Sequence, residues 1–236
     1  MKISVIIPMY NENAVIKSTA KTLSSYMSEN FDSYEIIFSD DGSTDGCRQT
    51  VESLGLECVR VIGYKENKGK GSAVRHGMLS ADGDIRLFTD ADLAYGTDVI
   101  KKAYDKLCGA DDADILIGTR KSDKNSYVGY TPIRRFMSKT YIRIVRTLSG
   151  VKISDSQCGF KAFRAGAADE IFSACTTNGF SFDLEVLLRA ACTDKKIIEM
   201  PVRIINHSHS SVRPIRDALK MIRDISRIKR QIKRSK

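Results

Sequence analysis

The sequence predicts an α/β fold in which a mostly parallel, twisted sheet is flanked by helices. Short runs rich in Val, Ile and Phe alternate with segments of helical periodicity, which is the order expected of repeated β-α-β units. The first run, ISVIIP at residues 3–8, is almost entirely apolar, as in a strand covered on both faces. With 236 residues, of which 42% are hydrophobic, the chain can build one large domain around such a sheet.

The order of the elements follows from the same patterns. Strands are predicted at residues 3–8, 34–40, 56–62, 84–90, 113–119 and 196–205, with a short strand within 154–165. Helices are predicted at residues 13–29, 44–55, 70–81, 131–150 and within 178–192, with others after Thr97 and at 214–232. Pro201 indicates that the last strand lies at an edge of the sheet, because proline cannot donate a hydrogen bond to a neighbouring strand.

Charge divides the chain into two parts. Residues 213–236 hold ten Lys or Arg and two Asp, so they carry +8 of the net charge of +9. We therefore expect one domain at 1–212 followed by a basic amphipathic tail at 213–236, and no nucleic-acid partner. The six cysteines form no C-x-x-C pair, no apolar run reaches the roughly 20 residues of a membrane span, and the start does not resemble a signal peptide. These features predict a cytoplasmic location.

Two carboxylates follow the fourth predicted strand, in the stretch FTDADLAY at 88–95. Asp90 and Asp92 are separated by one small residue, and like charges this close cost free energy unless a cation or hydrogen bonds offset them. Mg²⁺ and Mn²⁺ often take one or two carboxylates and complete their shell with phosphate oxygens and water. The pair therefore predicts a metal-bound diphosphate, although a solvated turn would also accommodate it.

Further polar clusters follow other strands: PMYNEN after the first, SDDGSTD after the second and GTRK after the fifth. Any one of them could be a set of turn residues. In open α/β sheets, however, ligands bind beyond the carboxyl ends of the strands. Counting Asp90 and Asp92, three of the four clusters contain carboxylates. The segment NKGKGSAVRHG at 67–77 precedes a helix as a phosphate-binding loop would, so Lys70 and Arg75 are expected to face an anionic ligand.

In this order, the motifs PMYNE, SDDGSTD, NKGKGSAVRHG, DAD and DSQCGFK resemble those of family 2 glycosyltransferases with the GT-A fold. The resemblance runs from Lys2 to about Arg213 and is closest to the branch that glycosylates dolichyl or polyprenyl phosphate, in particular the dolichyl-phosphate beta-glucosyltransferases. It implies a Rossmann-like sheet of the nucleotide-diphospho-sugar transferase type. It also implies a nucleotide-sugar donor, a polyprenyl or dolichyl phosphate acceptor, and Mg²⁺ or Mn²⁺.

The resemblance also implies roles for individual residues. The nucleotide-binding positions are Pro8, Tyr10, Asn11, Glu12, Asp40, Asp41, Lys70 and Asp90. Asp90 and Asp92 match the metal motif, Asp92 being the more direct ligand. The acceptor-side and catalytic positions are Arg120, Arg134, Arg135, Asp155, Gln157 and Lys161. The three arginines are candidates for the acceptor phosphate, and Asp155 could orient the acceptor or act as a base.

The implied reaction is a single inverting displacement of hexose from the nucleotide sugar. Glucose from UDP-glucose is preferred over GDP-mannose because Ala94 replaces the glutamine of mannosyl-transferring members, and because GFSFDLEVLL resembles a motif of glucosyl-transferring members. Ile204 and Ser211 depart from the usual Trp and Lys of the acceptor region. Another UDP-sugar, another acceptor such as a diacylglycerol or a growing glycan, and a non-catalytic membrane-binding role are the alternatives. The basic tail at 214–232 also has an apolar stripe. This pattern predicts peripheral contact with an anionic membrane on its cytoplasmic face, and packing of the stripe on the domain is the alternative.

Overall fold

The computed structural model describes residues 1–109, 112–120, 147, 154–156, 158–179, 181–193, 195–205, 227–228 and 230–231. The strands are β1 Ile3–Met9, β2 Tyr34–Asp40, β3 Val59–Gly63, β4 Ile85–Phe88, β5 Ile115–Thr119, β6 Lys161–Arg164 and β7 Ile197–Pro201. The helices are α1 Asn13–Asn30, α2 Cys47–Glu52, α3 Lys70–Leu79, α4 Asp98–Cys108, α5 Ala165–Ala174 and α6 Phe182–Ala190.

These strands form one sheet in the order β3-β2-β1-β4-β6-β5-β7. All neighbours are parallel except β6, which runs antiparallel to both β4 and β5. The chain enters β6 from the edge where β5 ends, so it must run back in the opposite direction. The prediction that Pro201 marks an edge strand is confirmed, because β7 is the last strand in the sheet.

The core lies on both faces of the sheet. On one face Val5 and Ile7 pack with α1 and α4, and on the other Ile6 packs with α3, α5 and α6. Every residue of β1 is buried, which confirms the prediction from its unbroken apolar run. This burial follows from parallel sheets being covered by helices on both sides.

Most element boundaries differ from the predicted ones by only a few residues. Helix α2 ends before Gly55, whose φ of +58° is a conformation that favours glycine and stops the helix. Helix α5 was not predicted, because its sequence AGAADEIFSA is short and follows a strand without a separating turn. Most of the predicted helix at 131–150 and most of the tail lie outside the described residues. Among the residues described, no helix has the length and apolar character needed to cross a membrane.

Candidate active site

The parallel register brings three of the predicted clusters to one edge of the sheet. Met9 lies opposite Asp40 in the β1–β2 pair, and Ile6 lies opposite Phe88 in the β1–β4 pair. The segments that follow β1, β2 and β4 therefore leave the sheet side by side. The end of β5 and the start of β6 lie at the same edge, since β6 runs antiparallel to both β4 and β5.

Asp90 is held from two directions. The Lys70 ammonium, at the first position of α3, forms a short ion pair with its carboxylate. On the other side, a Cβ placed on Gly159 would come within 2.1 Å of Asp90 Oδ2. Burial acts to lower the pKa of Lys70, but the charges of Asp90, Asp183 and Asp92 outweigh it and raise that pKa. Lys70 is therefore a cation at neutral pH.

Asp92 is oriented by a tight turn. Its Oδ1 accepts a hydrogen bond of 3.1 Å from the Ala94 amide, and the Leu93 amide donates to the Asp90 carbonyl at 3.0 Å. Leu93 has a φ of +47°, a left-handed conformation that is uncommon for a side chain of this size. The turn thus fixes the direction of the carboxylate that was predicted to be the more direct metal ligand.

Glu12 adds negative charge to this region. Its pKa is raised by partial burial and then by the carboxylates of Asp92, Asp90 and Asp45. A divalent cation would relieve this repulsion, so the electrostatics fit a metal ion. Yet the described residues contain no group of three His, Cys, Asp or Glu side chains placed to share one ion. The arrangement therefore fits a cation held by Asp90 and Asp92 and completed by ligand oxygens and water.

Asp41 organises the loop that precedes α3. Its buried carboxylate accepts hydrogen bonds from Tyr64 Oη at 2.7 Å, Asn67 Nδ2 at 2.9 Å, and the amides of Lys68 at 2.9 Å and Gly69 at 2.8 Å. Asp40, also buried, accepts the Ser43 amide at 3.0 Å. Both acidic residues lie where the sequence predicted them, and Asp41 shapes the loop from beneath.

The expectation of a phosphate-binding loop stays a prediction, and in this structure four amides at the helix start bind protein groups. The amides of Lys68 and Gly69 bind Asp41, while those of Gly71 and Ser72 donate to the Asn178 carbonyl at 2.8 and 3.3 Å. A helix N-terminus binds phosphate only when its amides are available. Arg75 instead donates to the Cys175 carbonyl and to Asn178 Oδ1. Lys70, in contrast, forms an ion pair with the Asp90 carboxylate.

The first predicted loop is joined to the second. Asn11 has a φ of +55°. Its side-chain Oδ1 accepts a hydrogen bond of 2.8 Å from the Thr44 backbone amide, and its own backbone amide donates one of 3.0 Å to Ser43 Oγ. Pro8 is buried in β1, whereas Tyr10 is 46% exposed beside the site. Asn11 therefore fixes the loop, and the Tyr10 ring is left accessible to a ligand.

Arg120 and Asp155 form a two-point ion pair. Arg120 Nε lies 2.6 Å from Asp155 Oδ2, and its Nη2 lies 2.9 Å from Oδ1. Burial would raise the pKa of Asp155, but the hydrogen bonds and charge of Arg120 lower it. A carboxylate with a lowered pKa is a weak base. The geometry thus favours an orienting role for Asp155 over the alternative of a general base.

Lys161 does not reach the surface. Its side chain is fully buried, and its Nζ lies 2.5 Å from Asp183 Oδ1 and 2.8 Å from the Cys158 carbonyl. Asp183, at the second position of α6, was not among the predicted site residues. The only sequence feature that could have indicated Asp183 is its acidic side chain at the predicted helix start within GFSFDLEVLL. The sequence does not reveal that this side chain pairs with Lys161. Arg134, Arg135 and Gln157 lie outside the described residues.

Comparisons with known proteins agree with this geometry. Residues 4–172 match the family Glycosyl transferase family 2. A dolichyl-phosphate beta-glucosyltransferase of Saccharomyces cerevisiae is 31% identical, over 94% of this chain and 72% of that protein. The Drosophila melanogaster enzyme of the same name is 32% identical, over 95% of this chain and 73% of its own length.

Solved structures share the fold at low sequence identity. Glucosyl-3-phosphoglycerate synthase from Mycobacterium tuberculosis in complex with uridine diphosphate has a TM-score of 0.72 and 19% identity, covering 96% of this chain and 78% of the other. A complex of the same enzyme with Mn²⁺, uridine diphosphate and phosphoglyceric acid also has a TM-score of 0.72, at 18% identity. It covers 96% of this chain and 76% of the other. The predicted GT-A fold is thereby confirmed. The chain belongs to glycosyl transferase family 2, and it is a glycosyltransferase similar over most of its length to the dolichyl-phosphate beta-glucosyltransferases.

Proposed function

We propose that this enzyme transfers glucose from UDP-glucose to a dolichyl or other polyprenyl phosphate, with inversion and with Mg²⁺ or Mn²⁺ as cofactor. The observation that carries the proposal is the placement of Asp90 and Asp92 beside Lys70 at the carboxyl edge of the sheet. The relatives named for transfer to dolichyl phosphate support the acceptor. Structural neighbours bound to uridine diphosphate and Mn²⁺ support the nucleotide and the metal.

Asp90 and Asp92 would hold the cation, whose positive charge stabilises the departing diphosphate when it is bound. The chain itself supplies the rigid placement of these two carboxylates. The turn at Leu93 directs Asp92, while Lys70 and Gly159 confine Asp90. Groups held in place before the reaction avoid the cost of reorganising during it.

On the acceptor side, the pair of half-buried Arg120 and buried Asp155 would present a fixed guanidinium to the acceptor phosphate. A phosphate monoester has a second pKa of about 6 and is largely ionised near neutral pH. Such a nucleophile needs orientation more than it needs a base. This agrees with the lowered pKa of Asp155. Arg134, Arg135 and Gln157 are proposed as further acceptor contacts, and the buried Lys161 is proposed to act indirectly.

We also propose that the enzyme works at the cytoplasmic face of a membrane, where a polyprenyl acceptor resides. The basic tail supports this, because anionic lipid attracts each nearby Lys or Arg by about 1 kcal/mol. In the described part of the tail, Ile228 is buried while Arg227 and Arg230 are exposed. The tail can therefore pack on the domain and still present charge to lipid.

A donor and acceptor screen tests the proposal. The chain of residues 1–236 would be incubated with radiolabelled UDP-glucose, other UDP-sugars or GDP-mannose, and with a short polyprenyl phosphate or a diacylglycerol. We expect transfer from UDP-glucose to the polyprenyl phosphate, lost in EDTA and restored by Mg²⁺ or Mn²⁺. The Asp92→Asn variant should fold but lose turnover, since it removes one charge without changing shape. Transfer only from GDP-mannose, only to diacylglycerol, or undiminished in EDTA would contradict the donor, the acceptor or the metal respectively.

A further inference from the structure

A buried ion pair lies beneath the candidate metal site. Lys161 has a fully buried side chain, and Asp183 exposes only 13% of its own. Burying two ions is costly, and replacing such a pair with apolar residues is often tolerated or even stabilising. A buried pair is thus weak evidence of a purely stabilising role. Its position next to functional groups is more informative.

The helix that carries Asp183 is in contact with the helix that carries Lys70. A Cβ on Gly71 would come within 2.5 Å of Phe182 Cβ, so the first turns of α3 and α6 abut. Lys70 precedes Gly71, and Asp183 follows Phe182. This contact places the Asp183 carboxylate and the Lys70 ammonium on neighbouring helix starts. Each acts electrostatically on the other, and Asp183 also acts on Asp90.

The strand register fixes the other end of the arrangement. Lys161 lies opposite Phe88, the last residue of β4, in the antiparallel β4–β6 pair. Asp90 follows Phe88 by two residues. The Lys161 Nζ is 5.5 Å from the centre of the Phe88 ring. Four charges of alternating sign therefore run from the core to the site: Lys161, Asp183, Lys70 and Asp90. The Lys70 ammonium pairs with Asp90 and is also within electrostatic reach of Asp183, and of these two carboxylates only Asp90 belongs to the metal motif.

We propose that Asp183 and Lys161 are positioning residues that divide the Lys70 ammonium between Asp183 and Asp90, and so set how much of the Asp90 charge is available to a divalent cation. The proposal rests on the proposed metal-dependent function. Without Asp183, Lys70 is left with Asp90 and competes with the cation. Without Lys161, the unpaired Asp183 draws Lys70 away and leaves Asp90 more available. Lys161 acts only through Asp183.

The test measures Mn²⁺ binding to the chain of residues 1–236 in the presence of uridine diphosphate. The electron paramagnetic resonance signal of free Mn²⁺ reports how much of the metal is bound. Asp183→Asn should weaken Mn²⁺ binding by about five- to tenfold, at the low end of couplings between interacting sites. Lys161→Met should strengthen it. The double variant should match Asp183→Asn, because loss of Lys161 has no effect once its partner is absent.

The double variant separates positioning from summed charge. If the two residues acted only through their long-range fields, their opposite charges would cancel and the double variant would bind like wild type, which would overturn the proposal. It also guards against misfolding of the single variants, since it buries no unpaired charge. If the single variants do not fold, weakened binding by the double variant supports the proposal and wild-type binding overturns it.

Asp169→Asn is the matched control. It removes the carboxylate that pairs at 2.6 Å with the nearly buried Arg86. Arg86 lies in β4, four residues before Asp90 in the sequence. The control variant should lower the melting temperature and leave Mn²⁺ binding unchanged. If Asp183→Asn and Lys161→Met behave in the same way, the pair is structural and the proposal is overturned. If wild type itself does not bind Mn²⁺ with uridine diphosphate, the proposed function fails as well.

Discussion

Gly159 lies directly against the Asp90 carboxylate, so close that a Cβ at this position would come within 2.1 Å of Oδ2 and 2.8 Å of Cγ. We expect Gly159→Ala to push Asp90 away from its present position and to lower kcat strongly, by about 100-fold, since misplacement of about 1 Å costs catalysis on this scale. Steady-state assays with saturating donor would measure the loss.

Gly166→Ala is the control for that variant. Nothing lies within 4 Å of a Cβ built on Gly166, near the start of α5. Alanine is the better helix former, so this change should stabilise the fold by about 0.4–1 kcal/mol. Its activity should equal that of wild type. Equal activities of Gly159→Ala and Gly166→Ala would refute the packing argument.

A second prediction concerns Asp41→Asn. The change keeps the shape of the side chain but replaces one carboxylate oxygen with an NH₂ group, which cannot accept a hydrogen bond. The wild-type carboxylate accepts hydrogen bonds from Tyr64, Asn67 and two backbone amides. Leaving buried groups without partners costs about 1–3 kcal/mol. We expect a lower melting temperature, faster hydrogen exchange at the Lys68 and Gly69 amides, and weaker binding of uridine diphosphate. Asp82→Asn, at a side chain that is 75% exposed, should show none of these effects.

The predicted strands and the carboxylate edge were accessible from the sequence because both depend on local patterns. A strand buried on both faces must be apolar along its length, and β1 is. The antiparallel direction of β6 was not accessible, since its four residues carry no directional signal. The burial of Lys161 was missed for a related reason. A lysine is expected at the surface, and its partner Asp183 lies 22 residues away along the chain.

A third prediction uses the ion pair of Arg120 with Asp155. Lysine keeps the charge of Arg120 but cannot form both contacts, at 2.6 and 2.9 Å. Arg120→Lys should raise the acceptor KM or lower kcat while leaving donor binding little changed. Asp155→Asn should have a similar effect, and the double variant should be little worse than either, because the two residues act as one unit. Additive losses in the double variant would show that they act separately.

A fourth prediction concerns stability and pH at Glu35, far from the candidate site. Burial acts to raise the pKa of this carboxyl, but the Ser4 hydroxyl, the Asp82 amide and Arg60 outweigh it and lower the pKa. A lowered pKa gives stability that is present above the unfolded value of 4.5 and is lost as pH falls through the folded pKa. Glu35→Gln should therefore be less stable at neutral pH by roughly 1–3 kcal/mol.

The same argument fixes how this difference changes with pH. Urea unfolding should show the gap between wild type and Glu35→Gln shrinking below pH 4.5, because the wild-type carboxyl then becomes protonated. Glu29→Gln is the control: Glu29 is exposed and accepts a hydrogen bond from Ser25, so its effect should be small at every pH. A gap that stays constant through the acid range would show that the charge of Glu35 contributes nothing.

The last prediction separates the two roles of the tail. Ile228 is fully buried in the core that contains Phe163 and Phe172, and Gln231 lies 3.0 Å from the Thr176 hydroxyl. Ile228→Ala should therefore destabilise the fold by about 2–5 kcal/mol, and truncation after Arg213 should also lower the melting temperature. A truncated chain that melts like wild type would mean that these contacts do not contribute to stability.

Membrane contact should depend on charge instead. Arg227 and Arg230 are exposed, and contacts of exposed charged side chains contribute only about 0–1 kcal/mol. Replacing both with glutamine should therefore change the melting temperature little while weakening co-sedimentation with anionic vesicles. Wild type should bind these vesicles at low salt and be released at high salt, because screening shortens the reach of surface charges to about 8 Å at physiological ionic strength. Ile228→Ala, measured where it is still folded, should bind like wild type. If vesicle binding survives both the arginine replacements and the truncation, the membrane contact lies elsewhere on the enzyme. If wild type does not bind vesicles at all, the tail has only its packing role.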